Sequence, residues 1–191
     1  MSETTAPRVL LPLFLDVTGR RVLVVGGGTI AARKALDLVA ARADVRVVAL
    51  ELAAELVAAQ HETLTLVQRA FEERDLEGAW LVFAATDDPD VQRRIANACA
   101  QVRVFCVAVD DPPNASAYGG AIVRRGPVTI AISTSGEAPA LARLLREVLE
   151  QALPDEGYVE AARALREQWK AEKTPMSSRF AELVAAFKAR S

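Results

Sequence analysis

Three consecutive glycines, Gly26, Gly27 and Gly28, interrupt the run VLVVGGGTIAA at residues 22–32, between an apolar stretch and helix-compatible residues. With Thr29, Ile30 and Ala31 they spell GxGxxA. Where a strand turns into a helix, such bare backbone lets a diphosphate rest on the amides of the helix N-terminus. A side chain at Gly26 or Gly28 is expected to obstruct the turn or the phosphate. Glycine triplets also close ordinary strand-to-helix turns, so the pattern has chemical meaning only inside a strand–helix–strand unit.

Several acidic residues fall where such a unit presents side chains to a ligand. Glu51 ends the second valine-rich run, about where an acidic group bonds the ribose hydroxyls of a dinucleotide. No arginine follows it, so a phosphorylated ribose has no evident clamp and NAD is expected over NADP. The alternative places Glu51 in the first turn of the next helix, where negative charge suits the dipole. Thr86 and Asp87 follow the fourth strand; either they line the cofactor ribose, or they lead into a helix with Asp88 as N-cap and Pro89 at N1. Asp110 and Asp111 close the fifth strand and meet Pro112, which disfavours helix and leaves the carboxylates facing a cleft or solvent. Asp110 can exchange a proton with a substrate held near the nicotinamide, or it can be a turn-forming acid.

Other reactive residues are few. The single histidine, His61, excludes mechanisms that need two, and its AAQHETL setting reads as a solvated loop. Cys99 and Cys106 lack the spacing of a zinc or redox motif and are expected to be buried as small hydrophobes. No permanently bound metal is expected.

The elements that must position these groups follow from hydrophobic period. RVLVV (21–25), DVRVVAL (44–50), TLTLVQ (63–68), AWLVFAA (79–85) and VRVFCVAV (102–109) read as strands. Helices are predicted over Thr29–Ala41, with Ile30, Lys34 and Leu38 on one side, over 51–60 and over 89–100. Alternating strands and helices imply parallel strands with crossover helices, an α/β doubly wound sheet of Rossmann type. After DDPPNAS (110–116) come two strands joined by RRGP, a β-hairpin, then a strong helix over 137–153. Beyond a break at Pro154, helices are predicted over 157–170 and 177–189. The expected division is a nucleotide-binding domain (1–113), a dimerisation region (114–152) and a helical C-terminal region (153–191), since a hairpin and a helical tail bury little alone.

Composition sets the outer limits. In 191 residues, 23 basic side chains face 25 acidic ones, a net charge of −2 that draws the chain to neither nucleic acid nor a membrane surface. The opening MSETTAPRVL has no signal-peptide character, and no run approaches the ~20 apolar residues that span a bilayer. A soluble, cytoplasmic protein is expected.

The segments LPLFLDVTGRRVLVVGGGTIAARKALDL, AATDD, VFCVAVDDP and GPVTIAISTSGEAPALARLLRE, in that order over residues 10–150, resemble the precorrin-2 dehydrogenases of sirohaem synthesis, including the amino-terminal part of the fused sirohaem synthases. The resemblance implies NAD-dependent oxidation of precorrin-2 to sirohydrochlorin, and in some members ferrous iron insertion as a sirohydrochlorin ferrochelatase. It implies a homodimer interlocked through about 117–150, NAD contacts at Thr29, Ile30, Leu50 and Glu51, and an essential aspartate at Asp110. The chain departs from the family at Gln92, where asparagine is frequent, and at Thr134, where serine can stand. The methyltransferase of the fused relatives is not in this sequence, so methylation of uroporphyrinogen is expected to come from elsewhere. The substrate is a planar polycarboxylate, for which Arg124, Arg125, Arg143 and Arg146 are candidate partners by paired hydrogen bonds, solvated surface charge being the alternative. A second reading is a non-catalytic regulatory domain that senses NAD; it accounts for the glycines but not for Asp110.

Overall fold

RVLVV forms β1 (Arg21–Val25), whose Val22, Leu23 and Val24 are fully buried, as both faces of a central parallel strand require. Around it lie β2 (Asp44–Ala49), β3 (Leu64–Gln68), β4 (Leu81–Ala84) and β5 (Phe105–Ala108), in the order β3-β2-β1-β4-β5, every neighbouring pair parallel. The order reverses at β1, so a crevice opens at the carboxyl ends of β1 and β4. Helix α1 (Thr29–Ala40) connects β1 to β2, the short α2 (Ala54–Ala58) leads to β3, and α3 (Pro89–Val102) connects β4 to β5. This computed structural model describes residues 9–153 and 156–188. MSETTAPR, the Pro154 break and the helix end expected at Ala189 lie outside the described residues.

The chain divides into two units, Met1–Gly119 and Gly120–Ser191. In the first, the expected α/β alternation is present, with differences of local cause. Helix α1 buries Ala31, Ala32, Ala35 and Leu38, whereas Ile30 is 42% exposed and Lys34 only half-buried. Small alanines let the helix approach the sheet closely, and Ile30 is left over the crevice. Helix α2 starts at Ala54 rather than 51, because Gly27 holds the preceding segment through a bond from the Ala53 amide to its carbonyl (2.7 Å). Helix α3 runs to Val102 and closes on Arg103 at φ 60°, which delays β5 to Phe105. Residues 110–116 return to β5: the Cys106 amide donates to Ser116 Oγ (2.8 Å), and the Ser116 and Ala117 amides donate to the Cys106 carbonyl.

A buried carboxylate ties β2, β3 and the segment before β4 together. Asp75, 3% exposed, accepts two bonds from Arg69 (2.6 and 2.8 Å) and one from the Glu72 amide (3.0 Å), with Arg46 3.4 Å away. Burial alone would raise its pKa, but the Arg69 and Glu72 bonds and the two arginine charges outweigh that and hold it below its ordinary value. A lowered folded pKa means that the stabilisation is present above the unfolded value of about 4 and is lost as pH falls through the folded one. Asp75→Asn is therefore expected to cost about 3 kcal/mol at neutral pH. Urea unfolding across pH should show the wild type and variant converging in acid.

In the second unit, β6 (Ala121–Arg125) and β7 (Val128–Ile132) form an antiparallel hairpin whose turn is Gly126–Pro127, with Gly126 at φ 53°. Helix α4 (Pro139–Ala152) follows, then α5 (Glu156–Glu172) and α6 (Met176–Lys188). Trp169 donates to Glu182 (2.6 Å), and the rings of Tyr158 and Phe187 meet edge to face at 4.7 Å, joining α5 to α6. Among the described residues no helix is long and apolar enough to cross a membrane.

Candidate functional site

The carboxyl ends of the five strands enclose a cleft of about 760 Å³, within the range of small-molecule and cofactor sites. Its floor is the glycine turn. Gly26 has φ 121°, and a Cβ there would overlap the Ala85 carbonyl oxygen just past the end of β4. A Cβ on Gly27 would overlap the Glu51 carbonyl. Gly28 differs: it has φ −75°, and a Cβ would meet nothing within 4 Å. The protein itself requires two bare positions, and the third leaves space on the cleft side. A side chain at Gly26 would thus obstruct the turn itself, whereas one at Gly28 would enter open space.

Gly28 is also the N-cap of α1, which has neither a side-chain cap nor an acidic residue in its first turn. The first amides of a helix lack intrahelical acceptors and carry the positive end of its dipole. Thr29 and Ile30 line the cleft there. Diphosphate oxygens fit this cradle in charge, hydrogen bonding and space.

On one side of the turn lie Leu50 and Glu51, both lining the cleft. Glu51 is exposed and precedes α2, so of its two expected settings the helix first turn is not the one adopted. On the other side, Thr86 and Asp87 line the cleft, while Asp88 caps α3 by accepting from the Asp90 (2.9 Å) and Val91 (3.2 Å) amides, with Pro89 at N1. Thr86 Oγ1 accepts from the Asp88 amide at 3.3 Å. Asp88 is therefore the N-cap of α3, and Thr86 and Asp87 precede that helix on the cleft wall.

Asp110 ends the far wall. It is exposed and adopts φ 55°, the left-handed region that aspartate enters more readily than most side chains. The peptide before it is held twice: the Val109 amide donates to the Ala84 carbonyl (2.9 Å), and Gln92 Nε2 donates to the Val109 carbonyl (2.8 Å). Gln92 is 4% exposed, lines the cleft, and its Oε1 is buried without a partner among the described residues. Asp111 is committed elsewhere, accepting from Asn114 at 2.6 Å.

All four candidate substrate arginines lie in the second unit. Arg125 donates to the Glu150 (2.6 Å) and Leu153 (3.0 Å) carbonyls at the end of α4. Arg143 pairs with Glu147 (2.9 Å) and Arg146 with Glu150 (2.6 Å), whereas Arg124 is exposed on β6. Cys99 and Cys106 are both buried; a hydrogen bond between them, with desolvation, pushes the Cys99 thiol up. His61 sits in an exposed turn, its Nδ1 facing the Thr63 amide at 3.2 Å.

Arg69 and Phe71 also line the cleft and were not anticipated. The available signal was position: Arg69 directly follows the third strand, on the same carboxyl edge as Glu51 and Asp110.

A family model described as NAD(P)-binding matches residues 13–121, and one described as the central part of a sirohaem biosynthesis protein matches 125–152. The sirohaem synthase of Enterobacter sp. (strain 638) is 47% identical over 145 residues, 75% of this chain and 32% of that protein. That of Citrobacter koseri is 46% identical with the same coverage. The chain thus spans about a third of the length of these curated relatives. Among solved structures, SirC, a precorrin-2 dehydrogenase, superposes with a TM-score of 0.72 at 25% identity, covering 92% of this chain and 88% of that one. The glycine turn, the five parallel strands and Asp110 all fall within the longer match, and the chain belongs to the NAD-binding family shared by the amino-terminal part of sirohaem synthases and the precorrin-2 dehydrogenases.

Proposed function

We propose that this protein oxidises precorrin-2 to sirohydrochlorin with NAD, as a step of sirohaem synthesis. The observation that carries the reading is the placement of Asp110, an exposed carboxylate at the opposite end of the cleft from Glu51, with the open Gly28 cradle between them. Bound NAD supplies the hydride acceptor. The chain's own residues do the rest. The first amides of α1 hold the diphosphate, and Glu51 takes the ribose hydroxyls of the adenosine half, which favours NAD because a ribose phosphate would meet a carboxylate. Thr86 and Asp87 flank the other half. As a hydride leaves the reduced macrocycle, the Asp110 carboxylate takes the accompanying proton.

The exposed apolar stripe Leu141, Leu144, Leu145 and Val148 on α4 supports a homodimer formed through this region, since the spacing places all four on one helix face. Arg124, exposed and without an ion pair among the described residues, is the first of the four arginines to meet a substrate carboxylate. Where ferrous iron is inserted as a second substrate, Asp110 is also the group to accept the displaced pyrrole protons.

Purified protein mixed with NAD and enzymatically made precorrin-2 should convert the absorbance spectrum to that of sirohydrochlorin with matching growth of NADH. An unchanged spectrum alongside measurable NAD binding would make the protein a nucleotide sensor instead.

A further inference from the structure

Three groups follow one another along the cleft edge: the glycine turn at the end of β1, Leu50 and Glu51 at the end of β2, and Arg69 at the end of β3. Gln68 is the register partner of Ala49, which sets Arg69 beside Leu50, and Gln68 Nε2 donates to the Leu50 carbonyl (3.1 Å) to tie the two strand ends together. If diphosphate lies on the turn and ribose at Glu51, the next group outward is the base, at Arg69.

Arg69 is the one cation among the described cleft-lining residues. Three of its five N–H groups are already engaged. Nη1 donates to Asp75 Oδ2 (2.8 Å) and to the Ala70 carbonyl (2.8 Å), and Nη2 donates to Asp75 Oδ1 (2.6 Å). The bidentate bond to a buried carboxylate fixes the orientation of the guanidinium plane and balances its charge. A guanidinium held this way offers its face, and that face stacks on aromatic rings.

We propose that Arg69 is the adenine platform of the cleft, a flat surface clamped by Asp75 against which the base stacks. The proposal deepens the dinucleotide reading and rests on it. Arg69→Lys keeps a cation for Asp75 but removes the plane, so it separates stacking from charge.

Calorimetry with NAD, NADP and ADP-ribose, and chemical-shift titration with nicotinamide mononucleotide, test it on the intact chain. Arg69→Lys should weaken NAD and ADP-ribose about tenfold, leave the mononucleotide unchanged, and give no gain for NADP. Wild-type protein should prefer NAD to NADP. Equal ADP-ribose affinity in wild type and Arg69→Lys would overturn the platform while leaving the cleft reading intact. Parallel weakening of the mononucleotide would make Arg69 a structural support, and a wild-type preference for NADP that Arg69→Lys abolishes would make it a phosphate clamp; either overturns the proposal. Failure of wild-type protein to bind any of the four ligands would overturn the dinucleotide reading itself.

Discussion

Asp110→Asn is expected to keep NAD affinity within about twofold and to lower precorrin-2 turnover by roughly 100-fold or more, the scale on which a positioned general base contributes. The substitution is close to a pure removal of charge. Asparagine matches aspartate in size and is comparably tolerant of the left-handed backbone at φ 55°. The bonds that set this position come from the Val109 peptide, through Ala84 and Gln92, and do not involve the Asp110 side chain. NAD binding should survive because the diphosphate cradle at Gly28 follows β1, two strands along the sheet from β5, which Asp110 follows. Stopped-flow absorbance for turnover and calorimetry for binding read the two quantities separately. Full turnover in the variant would reassign the base, and Asp111 would be a poor substitute, its carboxylate being bonded to Asn114.

Gly28→Leu should weaken NAD by about 100-fold while leaving melting temperature within a few degrees. The space around a Gly28 Cβ is open and its φ of −75° suits any L-residue, so the fold accommodates the side chain at little more than the loss of a favourable N-cap, about 1 kcal/mol. The ligand does not, because the added atoms stand over the amides that receive the diphosphate. Gly26→Ala is the informative contrast: at φ 121° and against the Ala85 carbonyl it should lose roughly 3 kcal/mol or more of stability before binding can be measured. Differential scanning calorimetry distinguishes the two outcomes. A Gly28→Leu protein that binds NAD normally would place the diphosphate elsewhere.

The sequence by itself determined the element types, their alternation and the edge on which the chemistry gathers. Hydrophobic period is local, so RVLVV, DVRVVAL and the helix beginning at Pro89 are legible without neighbours. The rule that parallel sheets bind at their carboxyl ends then singled out the glycine turn, Glu51, Thr86, Asp87 and Asp110, all of which line one cleft. Tertiary structure alone decided the rest. Gly26 and Gly27 are bare because carbonyls distant in sequence, those of Ala85 and Glu51, press on them, while Gly28 is bare toward open space. Arg69 reached the cleft because β3 pairs with β2 in a register that sets it beside Leu50, and Arg125 became bound to the α4 carbonyls through the packing of a hairpin on a helix. Spacing along the chain records which side chains an element carries; it holds no distance between elements, and close approach, charge pairing and the space left for a ligand are all matters of that distance.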